Sequence, residues 1–389
     1  MNSFPTEILY FGVNRWDSMI QREQHLIAGL SRTFRLLFVD PPLSVPTVAL
    51  GRSRGKNWNF KSRINPVNDR LLIYTPPAFP PFGQSHPWIH RFNSNLMISL
   101  TKKVIERLSF RNYILGTAWP FWVEVVKAFT SPLAYYDCSD EYPAFPGLRA
   151  DRAMLRKAEE ELLRLVDIVF CSSGGLKQEK ARLNQNCFLI PNGVDLAPWN
   201  LPASEKRPLP EMDALRQPIL GYMGTIGEWF DFHALAVLAR ARPDWSFVVI
   251  GPVASKDIAS RLAGLPNTHW LGEKAYRDIS AYLERFDLCL IPFKVDAFTK
   301  KIYPSKFHQY LAAGKPVVSS PLPDLEPFVP WVEFYTAPEE MEIKIEKCLN
   351  EDSPEKAAAR RKIAGENTWD RRVESMMEIF HSHLTGRPA

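Results

Sequence analysis

Tyr303-Pro-Ser-Lys-Phe-His-Gln-Tyr-Leu-Ala-Ala-Gly-Lys-Pro-Val-Val-Ser-Ser320 reads as a loop, a short helix, a glycine stop and a buried strand. Ser305 is placed to cap the helix, Leu311 and Ala312 to face a core, and Gly314 to end the helix in the left-handed conformation. Pro316-Val-Val-Ser-Ser320 then carries the β-branched run of a parallel strand. Lys306 falls in the first helical turn, where a cation opposes the helix dipole unless an anion shares the site. Backbone N–H groups and a lysine at a helix start make a cradle suited to a diphosphate; on an ordinary solvated helix the same lysine would carry no ligand.

The β-then-α rhythm extends outward over almost the whole chain. In the first half, strands are expected at Ile8–Phe11, Leu36–Val39, Leu71–Tyr74, Tyr113–Leu115, Leu133–Tyr136, Ile168–Cys171 and Phe188–Ile190. The Asp151–Val166 segment reads as a helix with Leu155, Ala158, Leu162, Leu165 and Val166 on one face. The second half restarts with Ile219–Met223, Phe247–Ile250, His269–Leu271, Leu288–Ile291, Pro316–Val318 and Phe334–Tyr335. Two β-α series imply an α/β protein of two Rossmann-like, doubly wound domains, with ligands at strand C-terminal ends and in the cleft between domains. The expected divisions are 1–196, a Pro- and charge-rich linker at 197–217, 218–367, and a C-terminal helix at 368–389 that crosses back to the first domain. Residues 41–95, dense in proline and aromatics, read as a long irregular insertion.

Composition narrows the function. A chain of 389 residues with 46% hydrophobic and 23% charged residues can build two full cores. Its net charge of +5 is too mild for a nucleic-acid binder. Five scattered cysteines without CxxC or Cys/His spacing fit a reducing cytoplasm and suggest no metal site. No basic-then-apolar leader is seen, and no apolar run approaches the roughly 18 residues needed to span a bilayer. A cytoplasmic protein is expected, either free or peripheral at the inner face of a membrane. Gly51–Arg63, with Arg52, Arg54, Lys56, Lys61 and Arg63 around Trp58 and Phe60, can touch anionic lipid headgroups or a phosphorylated acceptor, or can be a solvated loop.

Gly221-Tyr-Met-Gly-Thr-Ile-Gly227 follows a strand and precedes a helix, a turn with N–H groups open to a phosphate. Val249-Ile-Gly251 and Trp270-Leu-Gly272 add two more glycine-bearing strand ends. With Tyr135-Tyr-Asp-Cys-Ser-Asp-Glu-Tyr142, Val166–Ser173, Ile190-Pro-Asn-Gly-Val-Asp195, Leu220–Asp231, Trp245–Pro252 and Ser305–Val318 in this order, the chain resembles a GT-B glycosyltransferase of the family-four type found in bacterial polysaccharide assembly. The resemblance runs from about residue 130 to the C-terminus, and residues 1–130 match only in layout.

The resemblance implies a nucleotide-diphosphate-sugar donor held mainly by the second domain, and a lipid-linked or growing glycan as acceptor in cell-envelope or exopolysaccharide synthesis. Gly224 and Thr225 fall at the diphosphate loop, Ser305 and Lys306 at the phosphates, and Gln309 at the position of the glutamate that grips the donor ribose. Gly251 and Thr299 complete the donor side. The family's paired glutamates, separated by seven residues, fall here at Lys301 and Gln309, and neither is acidic. Retention of configuration is implied by the family alone, and no cofactor or metal is required, since N–H dipoles and a lysine can stabilise the leaving diphosphate. Any of Asp137, Asp140 and Glu141 can serve as general base or be a loop carboxylate; in a retaining mechanism the leaving phosphate itself can take the proton. Arg15 or Arg22, after the first strand, can pair an acceptor phosphate or stand as a surface charge. A sugar-nucleotide epimerase and a non-catalytic glycan- or partner-binding relative are the competing readings. The first wants histidines that are sparse here; the second draws on the missing glutamates.

Overall fold

The computed structural model describes residues 5–53, 60–200, 208–254 and 256–386. The chain divides into two compact units, one of residues 1–191 with 372–389 and one of residues 192–371. Each is built on a sheet whose apolar strands are covered on both faces.

The first sheet contains β1 (Glu7–Phe11), β2 (Arg35–Val39), β3 (Arg63–Pro66), β4 (Leu71–Thr75), β5 (Tyr113–Thr117), β6 (Ala134–Cys138), β7 (Ile168–Cys171) and β8 (Cys187–Leu189). Its order is β3-β4-β2-β1-β5-β6-β7-β8, parallel throughout except for the antiparallel β3–β4 edge. β1, β5 and β7 are buried along their full length, as continuous apolar runs require when helices cover both faces. The chain winds outward from β1 in both directions, so the order reverses between β1 and β5.

The second sheet contains β9 (Ile219–Met223), β10 (Ser246–Ile250), β11 (Thr268–Gly272), β12 (Leu288–Ile291), β13 (Val317–Ser319) and β14 (Glu333–Phe334). All its pairs are parallel, in the order β11-β10-β9-β12-β13-β14. Here the reversal lies between β9 and β12. In open sheets of this kind the crevice at the carboxyl ends of such a strand pair is where ligands bind.

Several expectations are corrected. The 41–95 region is not one irregular insertion: it holds a helix at Val45–Ser53, the edge strand β3, and the start of a 21-residue helix at Pro87–Arg107. Its prolines occupy permitted places, Pro87 at the first helical turn and Pro66 at the end of an edge strand. The 197–217 segment belongs to the second unit, where Leu209 and Met212 are buried in its core; residues 201–207 of it lie outside the described residues. The division falls earlier, after Pro191. Leu165, read as a core position, is exposed at the end of its helix. Ser305 makes no cap bond, because its own backbone is already helical (φ −56°, ψ −30°) where a capping residue needs extended backbone.

Other local signals act as read. Asp151 and Asp231 accept the N–H groups of Met154 and Ala234 and cap their helices. Gly314 ends the Lys306–Ala312 helix at φ 74°. The C-terminal helix, Trp369–Thr385, passes into the first unit at Arg372. There Val373 fills the space left by Gly29, and Phe380 packs its ring between Tyr135 and Phe170.

Candidate functional site

In the second unit, three glycine-bearing strand ends stack on one another. Gly224 (φ 138°) donates its N–H to the carbonyl of Ile250 at 2.8 Å, and Gly251 (φ 139°) donates its own to Gly272 at 2.9 Å. A side chain on Gly251 would lie 2.2 Å from the Gly224 oxygen, so only glycine lets the two ends touch. Tyr222 Oη donates to the Thr225 carbonyl at 2.9 Å, and Ile226 N donates to Pro252. Alternate amides of the loop are thus turned inward. Among the described residues no acceptor takes the N–H groups of Thr225 and Gly227.

Lys306 reaches this loop from the start of its helix. The space of a Cβ on Gly224 is 2.8 Å from Lys306 Cε and 3.1 Å from its Nζ. The ammonium lies 5.0 Å from the Tyr222 ring centre and 4.9 Å from that of Phe293, and no described carboxylate stands within ion-pair distance of it. Burial draws its pKa down to about 8. A cation held over aromatic faces with no counter-ion is an arrangement that an anion would complete.

Tyr310, one turn and a residue further on, positions that lysine. Its hydroxyl accepts the Met223 N–H at 2.9 Å and lies 3.5 Å from the Leu290 carbonyl, pinning the helix to β9 and β12 together. Motif reading passed over Tyr310 because nothing local distinguishes it from a packing aromatic. Gln309 is half-buried near the same helix start, and no described group holds its amide. His308 is wholly buried, its Nε2 2.6 Å from Tyr303 Oη.

Two proposed donor contacts are otherwise engaged. Thr299 is fully buried; its hydroxyl donates to the Lys294 carbonyl at 2.6 Å and accepts from Asp296 N, so it shapes the 294–301 loop. The Gly251 amide is already bonded to Gly272, which leaves Gly251 as the support of the Gly224 loop. Thr225 and Ser305 are exposed, Lys300 is exposed and Lys301 half-buried.

In the first unit, the acidic segment follows β6, and its carboxylates meet different fates. Asp137 takes the Arg22 guanidinium in a forked bond, at 2.7 Å from Nη2 and 3.1 Å from Nε, while Arg22 Nη1 donates to the Ile190 carbonyl at 2.7 Å. Both side chains are buried, so neither Asp137 as base nor Arg22 as a phosphate ligand is left open to a substrate. Glu141 is likewise buried, 3.0 Å from Lys180 Nζ, which also holds Glu159 at 2.9 Å. Arg22 balances Asp137 one to one, whereas Lys180 alone serves Glu141, Glu159 and Glu179, and burial pushes the Glu159 carboxyl up.

Asp140 differs. It is half-buried, accepts only a long 3.4 Å bond from Ser139 Oγ, and has no cationic partner at ion-pair distance among the described residues. Burial, with a smaller contribution from the Asp137 charge, pushes its pKa up to about 7, although Ser139 and Arg22 pull it down. That is the range suited to proton transfer near neutrality. Arg15 is paired with Asp17 at 3.0 Å and lies 3.8 Å from Asp40. Glu23 closes the same loop by accepting the N–H groups of Val13 and Asn14. Of the basic 51–63 segment, 54–59 lie outside the described residues; Lys61 and Arg63 line a small cleft with Arg15.

Comparison with known proteins agrees with this geometry. Residues 217–350 match the family described as glycosyl transferases group 1. Over 254 residues, 60% of the chain, it is 29% identical to a putative teichuronic acid biosynthesis glycosyltransferase of Bacillus subtilis, TuaH, and spans 63% of that protein. The Anabaena protein HepE in complex with UDP superposes with a TM-score of 0.64 at 15% identity, covering 97% of this chain and all of that one. The E. coli trehalose-6-phosphate protein bound with UDP-2-fluoro glucose gives 0.66 at 10% identity, covering 96% and 99%. The catalytic domain of Arabidopsis starch synthase IV, bound to ADP and acarbose, gives 0.67 at 11% identity, covering 98% and 100%. The fold is GT-B.

Proposed function

Because residues 217–350 match the group 1 glycosyl transferases and the chain has the GT-B fold, we propose that this protein transfers a sugar from a nucleotide-diphosphate-sugar to a glycan acceptor. The observation that carries the reading is Lys306: an ammonium laid on Gly224, its pKa drawn down by burial, with no counter-ion and two nearby loop amides without an acceptor among the described residues. A donor diphosphate supplies what that corner lacks. HepE and the E. coli protein hold UDP or a UDP sugar, which supports the same class of ligand here.

As the bond from the anomeric carbon to the diphosphate oxygen breaks, its electron pair leaves with the phosphate, and Lys306 with the loop amides opposes the growing charge. The acceptor oxygen forms the new bond to that carbon. Its proton goes to the leaving phosphate in retaining transfer, or to a carboxylate base in direct displacement, for which Asp140 of the first unit is the candidate. Neutralisation by Lys306 makes transfer without a metal part of the proposal, to be read as activity retained in chelator. Gln309 can bond a ribose hydroxyl as donor or acceptor. The acceptor is proposed to be a lipid-linked or growing glycan of the cell envelope, by analogy with the teichuronic acid relative.

A thermal-shift series with nucleoside diphosphates and their sugars, followed by transfer and hydrolysis assays on stabilising donors, tests the reading. A bound donor that is turned over supports it. Binding without turnover would leave a glycan-binding relative, in keeping with Lys301 and Gln309 at the acidic positions, and absence of any nucleotide binding would refute the donor site.

A further inference from the structure

The first unit exposes large aromatic side chains where a folded surface ordinarily hides them. Trp88 is 74% exposed, Phe82 66% and Phe92 56%. Trp88 and Phe92 are four residues apart on the Pro87–Arg107 helix and share one face of it. Phe82 sits in the loop before that helix, with φ 68°, a conformation a bulky side chain adopts only against a steric cost. The loop is held there from two sides. Phe79 exchanges backbone bonds with Leu43 and Val45, and Asn93 Nδ2, from the helix, donates to the Pro80 carbonyl at 3.1 Å while filling the space beside Gly83.

Charge continues the same stripe. At 100° per residue, Arg91, Lys102 and Lys103 fall within about 60° of Trp88, and all three are exposed. The opposite face, with Ile89, Met97 and Val104, is buried. Glu106, at the far end, is the helix's one acid. Exposed aromatics at one end of an amphipathic helix and cations along the same side are the composition of an element that lies in a membrane interface.

We propose that this face, built on Phe82, Trp88, Phe92 and Arg91, docks on an anionic lipid bilayer and brings the first unit to a membrane-borne acceptor. It rests on the lipid-linked part of the functional reading but not on the donor chemistry. The helix's inner side leads toward the acidic segment: His90 packs on Phe121 at 5.0 Å, Phe121 on Trp119, Trp119 on Tyr142 at 5.0 Å, and Tyr142 Oη lies 2.8 Å from Ser139 Oγ, next to Asp140. The helix that carries the exposed face is thereby packed, through these rings, against the segment that holds Asp140.

Co-sedimentation of the full chain with vesicles of phosphatidylglycerol and phosphatidylethanolamine, against vesicles of phosphatidylcholine alone, tests the proposal. Binding should favour the anionic vesicles and weaken with salt. Trp88→Ser with Phe92→Ser should lower it by about tenfold or more. Brominated lipids should quench a part of the tryptophan emission that is missing in Trp88→Phe, a readout indifferent to altered folding. Absence of vesicle binding, or vesicle binding unchanged in the double variant, overturns the proposal, as does capture of a protein partner by this face in place of lipid. Nucleoside diphosphate affinity measured on the same samples separates this failure from that of the donor site.

Discussion

Removing the charge of Lys306 separates two consequences of one side chain. Burial against Gly224, Tyr222 and Phe293 draws its pKa from 10.5 to about 8. At about 1.4 kcal/mol per pH unit the drop is worth at most about 3.5 kcal/mol, and less where water reaches the ammonium. The direction follows from comparing the two states. Below pH 8 both folded and unfolded chains hold the proton, and the cost of burying the charge is fully present. Between about pH 8 and 10.5 the unfolded chain binds more protons than the folded one, so stability rises with pH. Lys306→Met should therefore raise the thermal stability of the ligand-free protein at pH 7. It should also weaken nucleoside diphosphate binding about tenfold or more, since a charge-assisted hydrogen bond is worth roughly 1.5–3 kcal/mol. A diphosphate beside the ammonium restores its affinity for the proton, so binding at pH 8 should draw in about half a proton, and at pH 6.5 almost none. Calorimetric titration in buffers of different ionisation enthalpy measures that uptake. Unchanged affinity in Lys306→Met, or the same uptake in the variant as in the parent, would refute the reasoning.

Breaking the buried Arg22–Asp137 pair by Asp137→Asn or Arg22→Ala should cost roughly 3–5 kcal/mol in chemical denaturation, and joint replacement by apolar residues should recover much of it; a loss of activity without loss of stability would instead restore these residues to the site. Asp140→Asn should leave nucleoside diphosphate affinity intact while lowering turnover, and should remove an acid limb near pH 7 from the rate profile if Asp140 takes the proton. The same substitution should stabilise the ligand-free protein above pH 7, because a carboxyl whose folded pKa is raised loses stability as pH climbs from its ordinary value to about 7. Gly251→Ala should displace the Gly224 loop, with a cost of at least about 1–3 kcal/mol for strained backbone and overlap, and should abolish nucleotide binding measured at a temperature where the variant remains folded.

Much of this protein is decided by short-range chemistry. Apolar runs such as Ile168–Cys171 alternating with amphipathic stretches such as Arg152–Leu165 specify two doubly wound sheets, because each element's period states which faces must be covered. The parts of the proposed donor corner are local in the same sense: a glycine turn after β9 and a lysine at a helix start are each visible in sequence, while their meeting at Gly224 is tertiary. Proline density misled over residues 41–95 for the converse reason, since proline is compatible with a helix start and an edge strand, and only pairing with β4 and packing of Met97 and Val104 show which applies. Only the tertiary structure distinguishes the surroundings of the three carboxylates. Asp137 meets Arg22 from 115 positions earlier, and Glu141 meets Lys180 from 39 positions later; Asp140 between them meets no cation among the described residues. A carboxylate's reactivity depends on the charges and water around it, and folding brings those neighbours from parts of the chain that no motif spans.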